Sequence, residues 1–230
     1  MTLANLAISE AQRWTLSLEE PIRKSIESKG WSKEAVRAIA NGFQITRTLP
    51  SNRAHGTFEV LAAFFRSPSC PKLEGKNMLA DYQSLVAQFS TDKTTRDIWI
   101  RETTGGQTRR CHSALSKLGM FHSGFKFPPF DSYAAKAMKA RTAAEVSMAE
   151  NYYARLQDLR FRDIADSIQA DLRDLSVQAE RVIDKYLMLS ADPKFRFLPA
   201  AYLQAQDPKV RDAMNEAGSK IEATLKSLLP

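Results

Sequence analysis

The stretch from Gly105 to Asp131 gathers the residue types best suited to chemistry. Gly105-Gly106-Gln107-Thr108-Arg109-Arg110 is followed by Phe125-Lys126-Phe127-Pro128-Pro129-Phe130-Asp131. A glycine turn ahead of a helix exposes backbone N–H groups, and their partial positive charge, reinforced by Arg109 and Arg110, suits a phosphate. Residues 105 to 110 are therefore a candidate backbone clamp for nucleic acid. The same glycines also fit a plain connection between two helices. Asp131-Ser132 reads as a helix N-cap.

Whole reaction classes are missing. The chain has no P-loop, no GxGxxG, no HExxH and no GxSxG. Cys70 and Cys111 lack the spacing of a zinc site or a CxxC pair, and the histidines are His55, His112 and His122. Cys111 and His112 are adjacent, and adjacent positions on a helix point in different directions, so packing outweighs a metal or thiol site. No metal is expected. The cysteine set of an iron–sulfur cluster is lacking, so no cofactor is expected either.

Over 230 residues, 33 Lys plus Arg stand against 26 Asp plus Glu, a net charge of +7. Residues 101–140 hold most of that excess, with 7 basic and 2 acidic groups. A polyanion would bind there. Hydrophobic residues at 43% suffice for a real core. Two cysteines suit a reducing compartment, Met1 to Glu10 lacks the basic start of an export signal, and no apolar run approaches the ~18–20 residues of a membrane span. The expectation is a cytoplasmic monomer with no membrane partner.

The elements that must position these residues read as all-α. Ser32 precedes a helix carrying Val36, Ile39, Ala40 and Phe43, and Gly56-Thr57 opens another through Phe65. Pro68 to Lys76 is a loop, and Met78, Leu79, Tyr82, Leu85, Val86 and Phe89 make an amphipathic helix ending near Ser90. Thr91 or Asp92 caps a helix through Ile98, Trp99 and Arg101. The paired glycines stop it, and a new helix runs from Thr108 through Cys111, Ala114, Leu115 and Leu118 to Gly119. After the His122–Phe130 loop, Asp131 opens a helix from Tyr133 to Arg141. Long helical patterns fill Ala143 to Leu189, Pro193 and Pro199 break them, and Asp207-Pro208 starts a final helix.

The order helix, glycine hairpin, helix, proline-containing loop, aspartate and helix resembles the helix-hairpin-helix DNA glycosylase superfamily, especially its 8-oxoguanine-glycosylase-like members. The match is best from Asp92 to Ala140, on Ala114-Leu115-Ser116-Lys117-Leu118 and Phe127-Pro128-Pro129-Phe130-Asp131-Ser132-Tyr133, with an echo at Ile183-Asp184-Lys185-Tyr186-Leu187. The resemblance implies a two-lobed helical fold with a central cleft over residues 1–230, a hairpin and catalytic-loop core at 92–140, and flanking helices at 1–91 and 141–230. It also implies that Asp131 is the catalytic aspartate, that Gly105 and Gly106 form the hairpin, and that DNA is the partner. The family's bifunctional branch places a nucleophilic lysine shortly after the hairpin, where this chain has Thr108, Arg109, Arg110 and His112. The expected activity is therefore that of a monofunctional glycosylase, hydrolysing the bond to a damaged or modified base in repair or in defence against phage DNA. One ionised aspartate suits that role, because a carboxylate near C1′ stabilises the sugar cation and orients or deprotonates water. Capping leaves acceptors on the carboxylate for it. Phe125, Lys126, Phe127 and Phe130 are candidates for the base pocket or for a wedge in the duplex. The alternatives are a non-catalytic helical DNA-binding protein and a helical protein-interaction scaffold.

Overall fold

The computed structural model describes residues 1–50, 56–102, 108–140 and 145–230. The expected all-α class holds. The chain divides into two compact units, one formed by Met1–Glu19 with Asp131–Pro230 and the other by Glu20–Phe130. Among the described residues, no helix is long and apolar enough to cross a membrane.

The first unit opens with α1, Leu3–Trp14, which Thr2 caps by accepting from the Asn5 N–H. Every residue of α1 from Ala4 to Gln12 is buried. A helix buried on all faces belongs to a core. A π-helical turn, Thr15–Glu19, continues it. After Asp131 come α8, Ser132–Ala137; α9, Glu145–Asp158; α10, Phe161–Gln169; a 3-10 stretch, Ala170–Leu175; and α11, Ala179–Ala191. The turn Pro193–Arg196 leads into α12, Phe197–Gln204, and α13, Pro208–Lys226, closes the unit. Helix α11 packs on α1 and α8, while α12 and α13 lie against α1. The polar groups of α1 are satisfied by these neighbours: Ser9 Oγ donates to the Pro199 carbonyl at 2.7 Å and Gln12 Nε2 to the Leu175 carbonyl at 3.0 Å.

The second unit holds α2, Glu20–Lys29; α3, Lys33–Gly42; a 3-10 turn, Ile45–Arg47; α4, Thr57–Arg66; α5, Met78–Thr91; α6, Arg96–Trp99; and α7, His112–His122. The caps at Ser32 and Asn77 accept from the Ala35 and Ala80 N–H groups. Its core is aromatic: Trp31 stacks on Phe65 at 4.6 Å, Phe64 meets Phe89 edge to face at 5.0 Å, and Trp99 meets His112 at 4.8 Å. Such pairs contribute beyond their buried area.

The segment around the glycine pair departs from expectation. Helix α6 ends at Trp99, and a two-stranded antiparallel ribbon follows, β1 (Ile100–Glu102) with β2 (Thr108–Arg110). The second helix begins at His112 rather than near Thr108. The physical reason is composition: Ile100 and Thr108 are β-branched residues, which suit a strand, and a glycine pair serves a turn between strands as readily as a helix stop. Gly105, Gly106 and Gln107 lie outside the described residues, as does His55. Helix α8 is also shorter than expected and ends at Ala137.

One close approach fixes the packing of α1 on α13. A Cβ added at Gly218 would lie 1.8 Å from Asn5 Oδ1 and 2.9 Å from the Asn5 backbone nitrogen. Swinging the amide aside cannot relieve the backbone contact, so the helices would have to part. Gly218→Ala is expected to destabilise by about 1–3 kcal/mol, as overpacking does, read as a lowered urea midpoint with an unchanged slope. An unchanged midpoint would show that the helices are free to separate there.

Candidate functional site

Asp131 is the residue at which the chain re-enters the first unit. In the second unit, the loop that leads to it is tied to α7 by a row of polar side chains. Ser123 Oγ accepts from the Phe127 N–H at 2.9 Å, and Ser116 Oγ accepts from the Phe130 N–H at 3.0 Å. The Lys117 ammonium, only 8% exposed, donates to Ser113 Oγ at 2.6 Å and to the Phe130 carbonyl at 3.3 Å. The turn out of α7 is tight, with Gly124 and Phe125 both left-handed and the Phe125 N–H bonded to the Met120 carbonyl at 2.8 Å. At Gly119 the bare Cα leaves room for Leu85 and Leu73, which an added Cβ would meet at 3.0 and 3.1 Å, and the Phe127 ring lies beside them. Backbone pinned on both sides in this way leaves Phe130 little freedom.

The aromatics of the loop are core residues: Phe125 is 4%, Phe127 0% and Phe130 3% exposed. The expectation that one of them wedges a duplex meets a physical obstacle, since a wedge must present its ring to solvent. Lys126 alone of the candidates in that loop is exposed. The backbones of Thr108, Arg109 and Arg110 lie on β2, whose register sets Arg109 opposite Arg101 and Arg110 opposite Ile100. Arg101 was not singled out by the sequence, although it belongs to the same ribbon.

In the first unit Asp131 caps α8. Its Oδ1 accepts the Tyr133 N–H at 2.8 Å, the carboxylate is half-buried, and the described residues give Oδ2 no hydrogen bond. Tyr152 is fully buried behind it. Its phenol is held well above the ordinary tyrosine range, first by burial and then by the carboxylates of Asp184 and Asp131. On the outer side Tyr133 meets Phe195 edge to face at 4.7 Å. The Lys194 ammonium lies 3.4 Å from the Tyr133 hydroxyl and over both rings.

The first unit also holds a buried ionic cluster. Arg181, 1% exposed, donates through Nε and Nη2 to Glu19 Oε1 at 2.9 and 2.5 Å, and through Nη1 to Asp184 Oδ2 at 2.7 Å. Burial opposes the Arg181 charge, but Glu19 and Asp184 outweigh it and raise its pKa. The Lys185 ammonium stands 3.4 Å from Asp184 and 4.3 Å from the centre of the Trp14 ring. Burial and Arg181 push the Lys185 pKa down against the pull of Asp184, Glu19 and Glu10. Glu10 receives the Trp14 indole N–H and the Arg13 guanidinium, both at 2.7 Å. The echo at Asp184-Lys185 thus falls on a neutralised core cluster. Nothing in local sequence could pair Arg181 with a glutamate 162 positions away.

Two other groupings carry less chemistry. Cys70 Sγ lies 3.5 Å from His122 Nε2, but burial pushes the thiol up to about 12, so it is a protonated core group and no nucleophile. Among the described residues no set of three His, Cys, Asp or Glu side chains could hold a metal ion. Compared with known proteins, the chain matches no family model, no curated protein and no solved structure.

Two substitutions test the cluster. Arg181→Ala leaves Glu19 and Asp184 buried without their cation and is expected to destabilise by about 3–5 kcal/mol. Lys185 behaves differently. Its folded pKa lies below its unfolded value, so the folded state binds fewer protons and wild-type stability rises with pH across the window that ends near 10.5. Lys185→Met should match or exceed wild-type stability at neutral pH, with its advantage shrinking as the pH climbs through that window. Denaturant titrations at a series of pH values check both, and a constant difference between Lys185→Met and wild type would place the lysine's proton outside the balance.

Proposed function

We propose that this protein is a DNA glycosylase that hydrolyses the N-glycosidic bond of a flipped-out damaged or modified base, with Asp131 as its catalytic carboxylate. The observation that carries this reading is the state of Asp131: Oδ1 is committed to the α8 cap, and among the described residues Oδ2 has no hydrogen bond. A fixed, half-exposed carboxylate is what an oxocarbenium-like sugar requires, since its stabilisation is electrostatic and needs no rearrangement at the moment of reaction. Oδ2 can orient or deprotonate the water. Substrate affinity would come from the basic ribbon. Arg101 and Arg109 are register partners, with Arg110 beside them. Arginine residues gathered in sequence on one ribbon suit the phosphates of a DNA backbone.

Lys117 does not enter the chemistry in this reading. Its ammonium is engaged with Ser113 and the Phe130 carbonyl, and a buried, hydrogen-bonded ammonium is a poor nucleophile. It acts as a positioning residue for the backbone that precedes Asp131. The mechanism is then hydrolytic and leaves an intact strand with an abasic site.

Asp131→Asn should keep the cap and the fold, because asparagine caps as well as aspartate. Base release from a panel of damaged and modified duplexes should fall by about 100-fold or more. Borohydride should trap no protein–DNA adduct, and strand breaks should appear only after alkali. A trapped adduct would assign an amine nucleophile, and full activity in the variant would reduce Asp131 to a cap. Replacing Arg109 and Arg110 by Ala should weaken binding to all sequences alike and flatten the log–log salt dependence by roughly one unit per lost phosphate contact. DNA binding without base release by the wild-type protein would favour the second reading, a non-catalytic DNA-binding protein.

A further inference from the structure

The largest apolar side chains that the described part of the fold leaves exposed are Met1, Leu16, Phe197 and Leu198, and the last two are adjacent. Phe197 is 76% and Leu198 59% exposed, at the start of α12. An exposed Phe-Leu pair on a flexible tail would mean little, but this one is held on both sides. Before it, Asp192 caps the Pro193–Arg196 turn by accepting the Lys194 N–H at 3.1 Å, and Phe195 is packed against Tyr133. After it, the Pro199 carbonyl accepts from the buried Ser9 hydroxyl at 2.7 Å. Two residues of backbone, at most about 7 Å, separate Phe197 from Phe195. Phe195 in turn touches the residue whose N–H is held by Asp131. The backbone of the apolar pair is therefore anchored on both sides and close to the candidate carboxylate within one unit.

Its surroundings are cationic. Lys194 and Arg196 precede it in the same turn, Arg196 with its Nε on the Leu189 carbonyl at 3.2 Å, and the exposed Lys136 faces that turn through its attraction to Asp192. The Lys194–Asp192 pair at 3.0 Å is exposed, so its exchange for another anion loses little. A protruding apolar tip with cations at its base fits a partner that presents apolar faces between rows of anions. A DNA base stack between its phosphates has that form.

We infer that Phe197, supported by Leu198, inserts into duplex DNA at the position a base has left, while Lys194 and Arg196 take the flanking phosphates. This rests on the reading of DNA as the substrate, but it moves the wedge from the buried loop phenylalanines to α12. It does not depend on which base is excised.

The test uses the full chain and two duplexes of one sequence, one continuous and one carrying a tetrahydrofuran abasic analogue with 2-aminopurine beside it. The wild-type protein should prefer the abasic duplex and change the 2-aminopurine emission on binding. Phe197→Ala, an exposed substitution whose circular dichroism should match that of the wild type, should lose about 5- to 150-fold in affinity for the abasic duplex, the equivalent of one stacked base. Its affinity for the continuous duplex should stay within about twofold. Phe197→Trp should restore both the preference and the emission change. If Phe197→Ala keeps them while the wild-type protein releases bases, the insertion is wrong and the glycosylase reading stands. A Phe197-dependent preference without base release on any substrate leaves the insertion standing and removes the catalysis. Wild-type protein that ignores both duplexes overturns both, whether the pair then proves to bind phosphatidylserine vesicles or to drive dimerisation.

Discussion

The guanidinium of Arg181 is the constraint on which the first unit depends. It is buried, so its charge must be met, and it is met by Glu19 at the end of the π-helical turn and by Asp184 one turn along its own helix. An uncompensated cation there would oppose folding by several kcal/mol, whereas the paired cation adds little beyond what apolar packing would supply. What the pair supplies is geometry. Glu19 is the last residue of the first segment of the unit, and the chain leaves for the second unit directly after it. The π-helical turn, which widens the helix by one residue per turn, brings the Glu19 carboxylate to the guanidinium. Arg181 thus ties the exit of the first segment to α11, against which the re-entry helix α8 is packed.

Re-entry is governed by the same logic in a milder form. The loop ahead of Asp131 contains two prolines and so has fewer N–H groups to satisfy, and those of Phe127 and Phe130 are taken by the hydroxyls of Ser123, just past α7, and Ser116 within it. Lys117 closes the set from the carbonyl side. Asp131 then begins a helix whose first orphan N–H it accepts itself. Within the first unit its place is fixed by that cap.

The parts of this arrangement legible in the sequence are those decided by local chemistry. Ser32, Asp131 and Asp207-Pro208 announce helix starts because a cap needs only its own side chain and the next three residues. Helix α1 escapes periodicity because its alanines, Asn5, Ser9 and Gln12 bury every face and leave no polar stripe to detect. The β1–β2 ribbon escapes because paired glycines punctuate helices and strands alike. Phe125, Phe127 and Phe130 look the same in sequence whether they face a ligand or a core, and the backbone bonds from Phe127 and Phe130 to the hydroxyls of Ser123 and Ser116 are not legible there. Pro199 reads as a breaker but occupies the first turn of α12, where no N–H is needed, so the exposed pair before it belongs to an ordered helix.

Order at these places bears directly on binding. Fixing the backbone of one residue takes roughly 1–2 kcal/mol of entropy, and a segment that orders only when it meets its ligand subtracts that from its affinity. The turn at Asp192 to Pro199 is already fixed by a cap, two prolines, an aromatic contact and the Ser9 hydroxyl. The Phe125–Phe130 loop is fixed by α7. Neither segment needs to fold around a partner, so contact energy gained there is kept as binding or as stabilisation of a charged transition state. A molecule that only needed to hold its core together would have little reason to keep Phe197 in water and rigid at once, because a ring that exposed would be more cheaply replaced by a polar side chain.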